Sequence, residues 1–137
     1  MKITFLGTGA DTAYPLPFCH CEYCDFSREH GGRNLRRRSS LLINDDLLID
    51  LGPDVMSSAF MHGVAIDQVR YLLQTHAHSD HFDAGHFQTR IPEYIVEGIP
   101  PLSIYASQGT LRKMAAQLKQ LGYVQDLFNA EEQQRTN

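Results

Sequence analysis

Residues 75–81, with the sequence Thr-His-Ala-His-Ser-Asp-His, are the stretch that indicates most about the fold and the chemistry of this chain. They follow an apolar run at residues 69–73, and side chains two apart in an extended segment point the same way. His76 and His78 can therefore bind one cation, while Asp80 and His81 can bind a second. Imidazole and carboxylate together suit zinc, manganese or iron rather than calcium. A catalytic zinc usually keeps three protein ligands and an open position, so each pair needs at least one further partner.

The only cysteines of the chain are Cys19, Cys21 and Cys24. An odd count in a chain expected to be cytoplasmic is poor material for a disulfide framework, and the spacing favours three thiolates of a tetrahedral zinc site. The fourth ligand stays open, with His30 as one candidate and His20 as a strained one. Free thiols, or a redox pair formed by Cys21 and Cys24, are the alternatives, although we expect no helix to begin there and lower a thiol pKa.

Composition places the chain among ordinary globular proteins. It has 137 residues, 42% of them hydrophobic, and a mean hydropathy of −0.31. We expect one domain over residues 1–137, with no membrane span, no signal peptide and a cytoplasmic location. The net charge of −4 argues against a general nucleic-acid-binding surface.

The pattern of apolar runs and turn residues predicts a chain of both strands and helices, in the α/β (α+β) class. The glycines at 7 and 9 lack the third glycine of a dinucleotide-binding turn, since Thr12 stands in its place. Residues 10–38 are predicted to be a long loop organised by the cysteines, and residues 125–137 a polar, frayed tail. The predicted strands are residues 3–6, 40–43, 47–50, 69–75 and 102–106.

Three helices are predicted around these strands. The first begins at Gly52 and Pro53 and ends at Gly63, and the second is a short helix over residues 80–87. The third begins at a cap on Ser107 or Thr110 and ends at Gly122. The expected apolar faces are Val55, Met56, Ala59 and Phe60 on the first helix, and Leu111, Met114, Leu118 and Leu121 on the third.

Three motifs together resemble the metallo-β-lactamase superfamily: the glycine-rich turn after residues 5–6, the Leu-Ile-Asp-Leu-Gly stretch at residues 48–52, and the histidine motif. The cysteines resemble those of the PhnP-like group of cyclic phosphodiesterases within it. The resemblance runs from Met1 to about Tyr123. It implies an αββα sandwich, of which this chain matches the N-terminal half, a mixed sheet flanked by helices.

The resemblance also implies roles for individual residues. His76 and His78 would bind metal one, Asp80 and His81 metal two, with Asp80 as the candidate catalytic carboxylate. Asp50 would not bind a metal itself but would accept hydrogen bonds from the metal loop, residues 76–81, and so orient its ligands. Zinc or manganese would occupy this dinuclear site, zinc would bind Cys19, Cys21 and Cys24, and a hydroxide bridging both metals would attack a phosphodiester.

The sequence also departs from the family pattern. Further ligands in the family come from its second half, yet no histidine follows His86 and no aspartate follows Asp126. His62 and His86 are candidates for third ligands. Whether these 137 residues are an enzyme alone is therefore open, and we expect a homodimer or a complementary chain to supply the missing half.

Three functional hypotheses follow. The first is a metal-dependent phosphodiesterase acting on a small phosphodiester, completed by a partner. The second is an inactive half-domain that dimerises or binds zinc structurally, covering an apolar face. The third is a nuclease that processes the 3′ end of transfer RNA, which the charge does not favour. The residues expected on the apolar face are Leu41, Ile43, Leu48 and Leu72.

Overall fold

A five-stranded mixed sheet is the centre of the computed structural model, which describes residues 1–91, 94 and 97–122. The strands lie in chain order, with β1, β2 and β3 antiparallel and β3, β4 and β5 parallel. This confirms the predicted mixed sheet. The strands are β1 (Ile3–Gly7), β2 (Ser40–Ile43), β3 (Leu47–Ile49), β4 (Tyr71–Leu73) and β5 (Ser103–Tyr105). The α-helices are α1 (Glu22–His30), α2 (Val55–His62) and α3 (Gln108–Gln120).

The predicted hairpin is present, because Asn44 and Asp45 adopt positive φ angles in the turn between β2 and β3. The strand predicted over residues 69–75 is shorter, since only Tyr71–Leu73 pair with both neighbours. A 3₁₀ helix at Ala84–Arg90 replaces the short helix predicted over residues 80–87. The helix starts later than predicted because residues 79–81 form a turn and Phe82 pairs with Leu51.

One face of the sheet carries the core. Leu6, Leu42, Leu48 and Leu72 are at most 3% exposed, and they cluster with side chains of α2 and α3. From α2, Val55 and Ala59 are buried, whereas Met56 and Phe60 are exposed, so half of the apolar face predicted for that helix is wrong. Met56 and Phe60 form the next row around the helix, which points away from the sheet. From α3, Met114 and Leu118 are buried and Leu121 is exposed.

The opposite face of the sheet is largely apolar over two complete rows, in which the residues of β1, β4 and β5 are exposed and those of β2 and β3 are half-buried. The register aligns Phe5, Leu41, Ile49, Leu73 and Tyr105 in one row, and Ile3, Ile43, Leu47, Tyr71 and Ser103 in the other. Phe5 is 60% exposed and Tyr105 50%. The prediction that Leu48 and Leu72 belong to this apolar face is wrong, because side chains alternate along a strand and these two point into the core.

The predicted loop over residues 10–38 contains a helix that the sequence analysis excluded. Helix α1 begins directly after Cys21, whose backbone is extended, and a 3₁₀ turn follows at Gly32–Asn34. Glu22 and Asp25 lie in the first turn of α1, where negative charge is favourable. Asp25 also accepts from Arg28 at 2.6 Å. The prolines at 15 and 17 prevent a helix only in their own segment.

Two further expectations concern the ends of elements. Ser107 caps α3, as one alternative predicted, because its hydroxyl accepts from the backbone N–H of Thr110. The polar tail predicted at residues 125–137 lies outside the described residues. Among the helices that the structure describes, none has the length and hydrophobicity needed to cross a membrane.

Candidate metal centre

The candidate site lies at the edge of the sheet where the parallel strands β3 and β4 end. Asp50 follows β3, residues 74–81 follow β4, and the backbone N–H of Asp50 donates to the Leu73 carbonyl at 3.0 Å. Because both strands run the same way, the segments that leave their carboxyl ends meet at this edge. The topology thereby brings together residues that are more than twenty positions apart.

The Asp50 carboxylate organises the metal loop. It is buried and accepts from three side chains: Thr75 Oγ1 at 2.8 Å, Gln74 Nε2 at 3.0 Å and His81 Nδ1 at 2.6 Å. The backbone N–H of Thr75 donates to it as well, at 2.8 Å. Asp50 itself adopts φ 61°, a left-handed conformation that is uncommon for residues other than glycine. The backbone conformation directs the Asp50 carboxylate towards the loop, and the four donors hold it there.

These hydrogen bonds also set the tautomers of two histidines. A carboxylate only accepts, so His81 donates from Nδ1 to Asp50 and keeps a lone pair on Nε2. The Thr75 hydroxyl donates to Asp50, and its oxygen can therefore accept from Nδ1 of His76, 2.9 Å away. Both imidazoles then present Nε2 as the free ligand atom, as metal-binding histidines generally do when the other nitrogen is held.

Three of the four predicted ligands converge. His76, Asp80 and His81 each offer a ligand atom, and these atoms all lie within 4.8 Å of one another. Asp80 Oδ2 is 3.1 Å from Nε2 of His81, on the side of the ring opposite to Asp50. Two imidazoles and a carboxylate are a donor set that fits zinc or manganese, and three protein ligands are the number that a catalytic zinc requires.

His78 is not part of this group. Its side chain is exposed, and its ring centroid lies 4.7 Å from that of His76. The structure therefore groups His76 with Asp80 and His81, while His78 lies beside His76 outside the group. Of the two candidate third ligands, His86 lies 3.1 Å from the Gly52 carbonyl through Nε2, and His62 is exposed beside Arg37.

Gln74 is a residue of this site that the sequence analysis missed. It is 1% exposed, and its amide contacts Asp50, the carbonyls of His76 and His81, and the backbone N–H of Leu51. A polar residue inside an otherwise apolar strand run was the available signal. The sequence alone does not show which groups it reaches.

Gly52 allows the loop to pack against the segment after β3. A Cβ atom at this position would collide with the backbone carbonyl of Asp80. Only glycine therefore permits this close approach. A groove of about 340 Å³ lies beside the loop, and none of the described residues that line it is a candidate ligand. The lining residues are Ser79, Phe82, Asp83, Ala84, Gln117, Gln120 and Leu121.

The three cysteines form a second group. The sulfur atoms of Cys19, Cys21 and Cys24 lie within 4.8 Å of one another, which fits three thiolates around zinc. The backbone N–H of Cys24 donates to Cys21 and, with a hydrogen bond from Cys19, lowers the Cys21 pKa, whereas burial raises the Cys24 pKa. The expectation that no helix starts there to lower a thiol pKa is thus wrong, since Cys21 is the N-cap of α1. His30 stacks on Phe26 and, like His20, lies outside the group.

Comparison with known proteins gives one matching family. Residues 33–111 match the family described as the metallo-beta-lactamase superfamily. A curated relative, Ribonuclease Z from Mycolicibacterium gilvum (strain PYR-GCK), is 31% identical over 125 residues, which are 90% of this chain and 38% of that protein.

Solved structures give the same fold. A diphosphatase from the PhnP family has a TM-score of 0.67 at 26% identity, over 89% of this chain and 47% of that one. Zinc-bound PqqB from Methylobacterium extorquens has a TM-score of 0.67 at 22% identity, over 90% and 43%. The short form of human tRNase Z has a TM-score of 0.58 at 22% identity, over 90% and 42%. The chain thus spans less than half the length of these relatives.

Proposed function

Because the chain belongs to the metallo-beta-lactamase superfamily, we propose that it is a metal-dependent hydrolase acting on a small phosphodiester. The observation that carries this proposal is the convergence of His76, Asp80 and His81, with the imidazole of His81 oriented by Asp50. Water is the nucleophile in such hydrolysis, and a metal bound by this group would activate it and neutralise charge on the phosphoryl oxygens.

The protein's own residues prepare the site for this chemistry. Asp50 holds the His81 ring so that Nε2, the nitrogen that a metal would bind, faces Asp80. Thr75 does the same for His76 through its hydroxyl. Two histidines fixed in one tautomer need little reorganisation when they bind a cation, which raises the affinity of the site.

The names of the relatives support a substrate in which a P–O bond is hydrolysed, a phosphodiester in the nucleases and a diphosphate in the PhnP-family protein. The matched proteins include a diphosphatase of the PhnP family, a Ribonuclease Z and a tRNase Z. The PhnP-like assignment is further supported by the cluster of Cys19, Cys21 and Cys24. Zinc or manganese at the His–Asp site and zinc at the cysteines belong to the same proposal.

We propose that a second copy of this chain covers the exposed apolar face of the sheet and helps to complete the site. Nine of the ten residues in the two exposed rows are apolar or aromatic, and the tenth is Ser103. Covering them would bury on the order of several hundred Å² per chain, the range of standard interfaces with about 800 Å² per partner. An apolar face without charged residues can pair with itself about a two-fold axis. A complementary chain is the alternative occupant.

Two other functions remain candidates, each supported by one observation. The exposed sheet face favours a half-domain that dimerises or binds zinc structurally and has no activity. The identity of 31% to Ribonuclease Z favours a nuclease that acts on transfer-RNA 3′ ends.

One set of assays separates these three functions. The purified chain is incubated with zinc or manganese and either bis(p-nitrophenyl) phosphate or a transfer-RNA precursor, and its mass is measured by light scattering. Hydrolysis of the small ester that is lost in His81→Ala supports the phosphodiesterase. Cleavage of the RNA alone supports the nuclease. A dimer that hydrolyses neither substrate supports the inactive half-domain.

A further inference from the structure

Gln74 occupies a position where the sheet calls for an apolar side chain. It follows Tyr71–Leu73 of β4, and its own N–H donates to the Tyr105 carbonyl at 2.8 Å, continuing the pairing with β5. Its side chain is buried as deeply as the core leucines. Burying an amide is costly unless its polar atoms are satisfied, so each of its hydrogen bonds matters.

All polar atoms of the side chain have hydrogen-bond partners, in the metal loop and in residues 50 and 51 beside it. Nε2 lies 3.0 Å from Asp50 Oδ1, 2.7 Å from the His76 carbonyl and 2.9 Å from the His81 carbonyl. Oε1 accepts from the backbone N–H of Leu51 at 3.3 Å. The orientation of the amide is unambiguous, because the reversed orientation would place Oε1 against three acceptors and Nε2 against a donor.

The two carbonyls belong to the first and last histidines of the loop. A single amide group therefore fixes the loop at both ends and also holds the carboxylate that orients His81. Thr75 supports Asp50 and the His76 ring, but among the described hydrogen bonds only those of Gln74 join His76, His81 and Asp50 through one side chain.

We propose that Gln74 is a positioning residue that sets the separation of His76 and His81 before a metal binds. This inference rests on the proposed function, because the ligands that it positions are those of the proposed metal site. Gln74 acts through backbone carbonyls and Asp50, and it is not itself a ligand. Its loss therefore weakens metal binding without removing any ligand atom.

The test compares two glutamine substitutions in the full chain. Gln74→Met keeps the approximate volume and removes the donors. Gln117→Met is the matched control, since Gln117 also faces the loop but reaches only the Ala77 carbonyl, at 3.5 Å. Affinity for Co²⁺ is measured by titration of its visible absorption bands, and circular dichroism checks the fold. We expect affinity to fall about 10- to 100-fold in Gln74→Met, with altered bands, and to stay unchanged in Gln117→Met. Unchanged affinity and bands in a folded Gln74→Met would overturn the proposal.

A measurement on the unsubstituted protein covers the case in which Gln74→Met does not fold. In the metal-free chain, NMR follows hydrogen exchange of the Gln74 side-chain amide against that of the exposed Gln120. Strong protection of Gln74 supports the proposal, and exchange as fast as that of Gln120 overturns it. Absence of metal binding by the unsubstituted chain would contradict the proposed function instead, and the exchange result would still decide the role of Gln74.

Discussion

The carboxylate of Asp50 lies 2.6 Å from Nδ1 of His81, across 31 positions of sequence. This short contact leaves Nε2 of His81 as the free ligand atom and places Asp50 behind the proposed metal rather than on it. The chain thus presents a candidate metal ligand together with the group that orients it, which is the arrangement on which metal affinity generally depends.

We expect Asp50→Asn to weaken zinc binding about 10- to 100-fold, because an amide cannot accept from all the donors that surround Asp50. The same change should lower the free energy of unfolding by about 1–3 kcal/mol, since a buried donor loses its acceptor. Zinc competition titration and urea unfolding measure the two effects. The control is Asp67→Asn on the surface, and equal affinities in the two variants would contradict the role given to Asp50.

Gly52→Ala should disrupt the metal loop from outside it, because the added Cβ collides with the Asp80 carbonyl. We expect a loss of stability of about 2–4 kcal/mol and weaker zinc binding, because backbone cannot yield as a flexible side chain can. Gly109→Ala is the matched control, since its Cβ would come no closer than 4.0 Å to the Ser107 hydroxyl. Thermal unfolding compares them, and a Gly52→Ala protein as stable as the control would refute the close approach.

The cysteines should differ in reactivity in the metal-free, reduced protein. The lowered pKa of Cys21 gives it more thiolate at neutral pH, whereas Cys24 is buried and its pKa is raised. Iodoacetamide should therefore modify Cys21 first, at a pH below that needed for an ordinary thiol, and Cys24 last. Peptide mass spectrometry over a pH series measures the order. Zinc should protect all three, and modification of Cys24 before Cys21 would contradict the geometry.

Charge placed on the exposed sheet face should prevent association. Phe5→Glu adds a carboxylate within the row that Phe5 shares with Leu73 and Tyr105, where pairing with a second copy would bury it without a partner. We expect a dimer for the unsubstituted chain and a monomer for Phe5→Glu in light scattering at micromolar concentration. Phe60→Glu, an exposed phenylalanine on α2, serves as the control and should remain dimeric. A monomer before any substitution would count against the interface.

Local pattern was sufficient to predict the hairpin, the helix after Gly52 and the histidine motif, because turn residues and periodicity act within a few positions. It could not show that Asp50 adopts a left-handed conformation, since the hydrogen bonds that hold its side chain come from Gln74, Thr75 and His81, more than twenty positions away. Nor could spacing along the loop show that Asp80 and His81 join His76 in one group that leaves out His78, because the loop turns after β4.

The predictions that the structure contradicts have related causes. Leu48 and Leu72 were placed on the exposed face because an apolar run of this kind does not reveal which alternate residues point to the helices. The predicted loop over residues 10–38 omits helix α1, although the first turn of that helix carries Glu22 and Asp25. The role of Gln74 is not visible in the sequence, because its partners Asp50 and Leu51 become neighbours only when β3 and β4 pair.

We expect His76, Asp80 and His81 to bind a metal independently of the cysteines. Native mass spectrometry with added zinc tests it on the protein in which Cys19, Cys21 and Cys24 are all replaced by serine. We expect this variant to retain at least one zinc per chain and to lose it when His76 and His81 are also replaced by alanine. A cysteine-free chain that is folded but binds no zinc would show that these residues do not form a metal site.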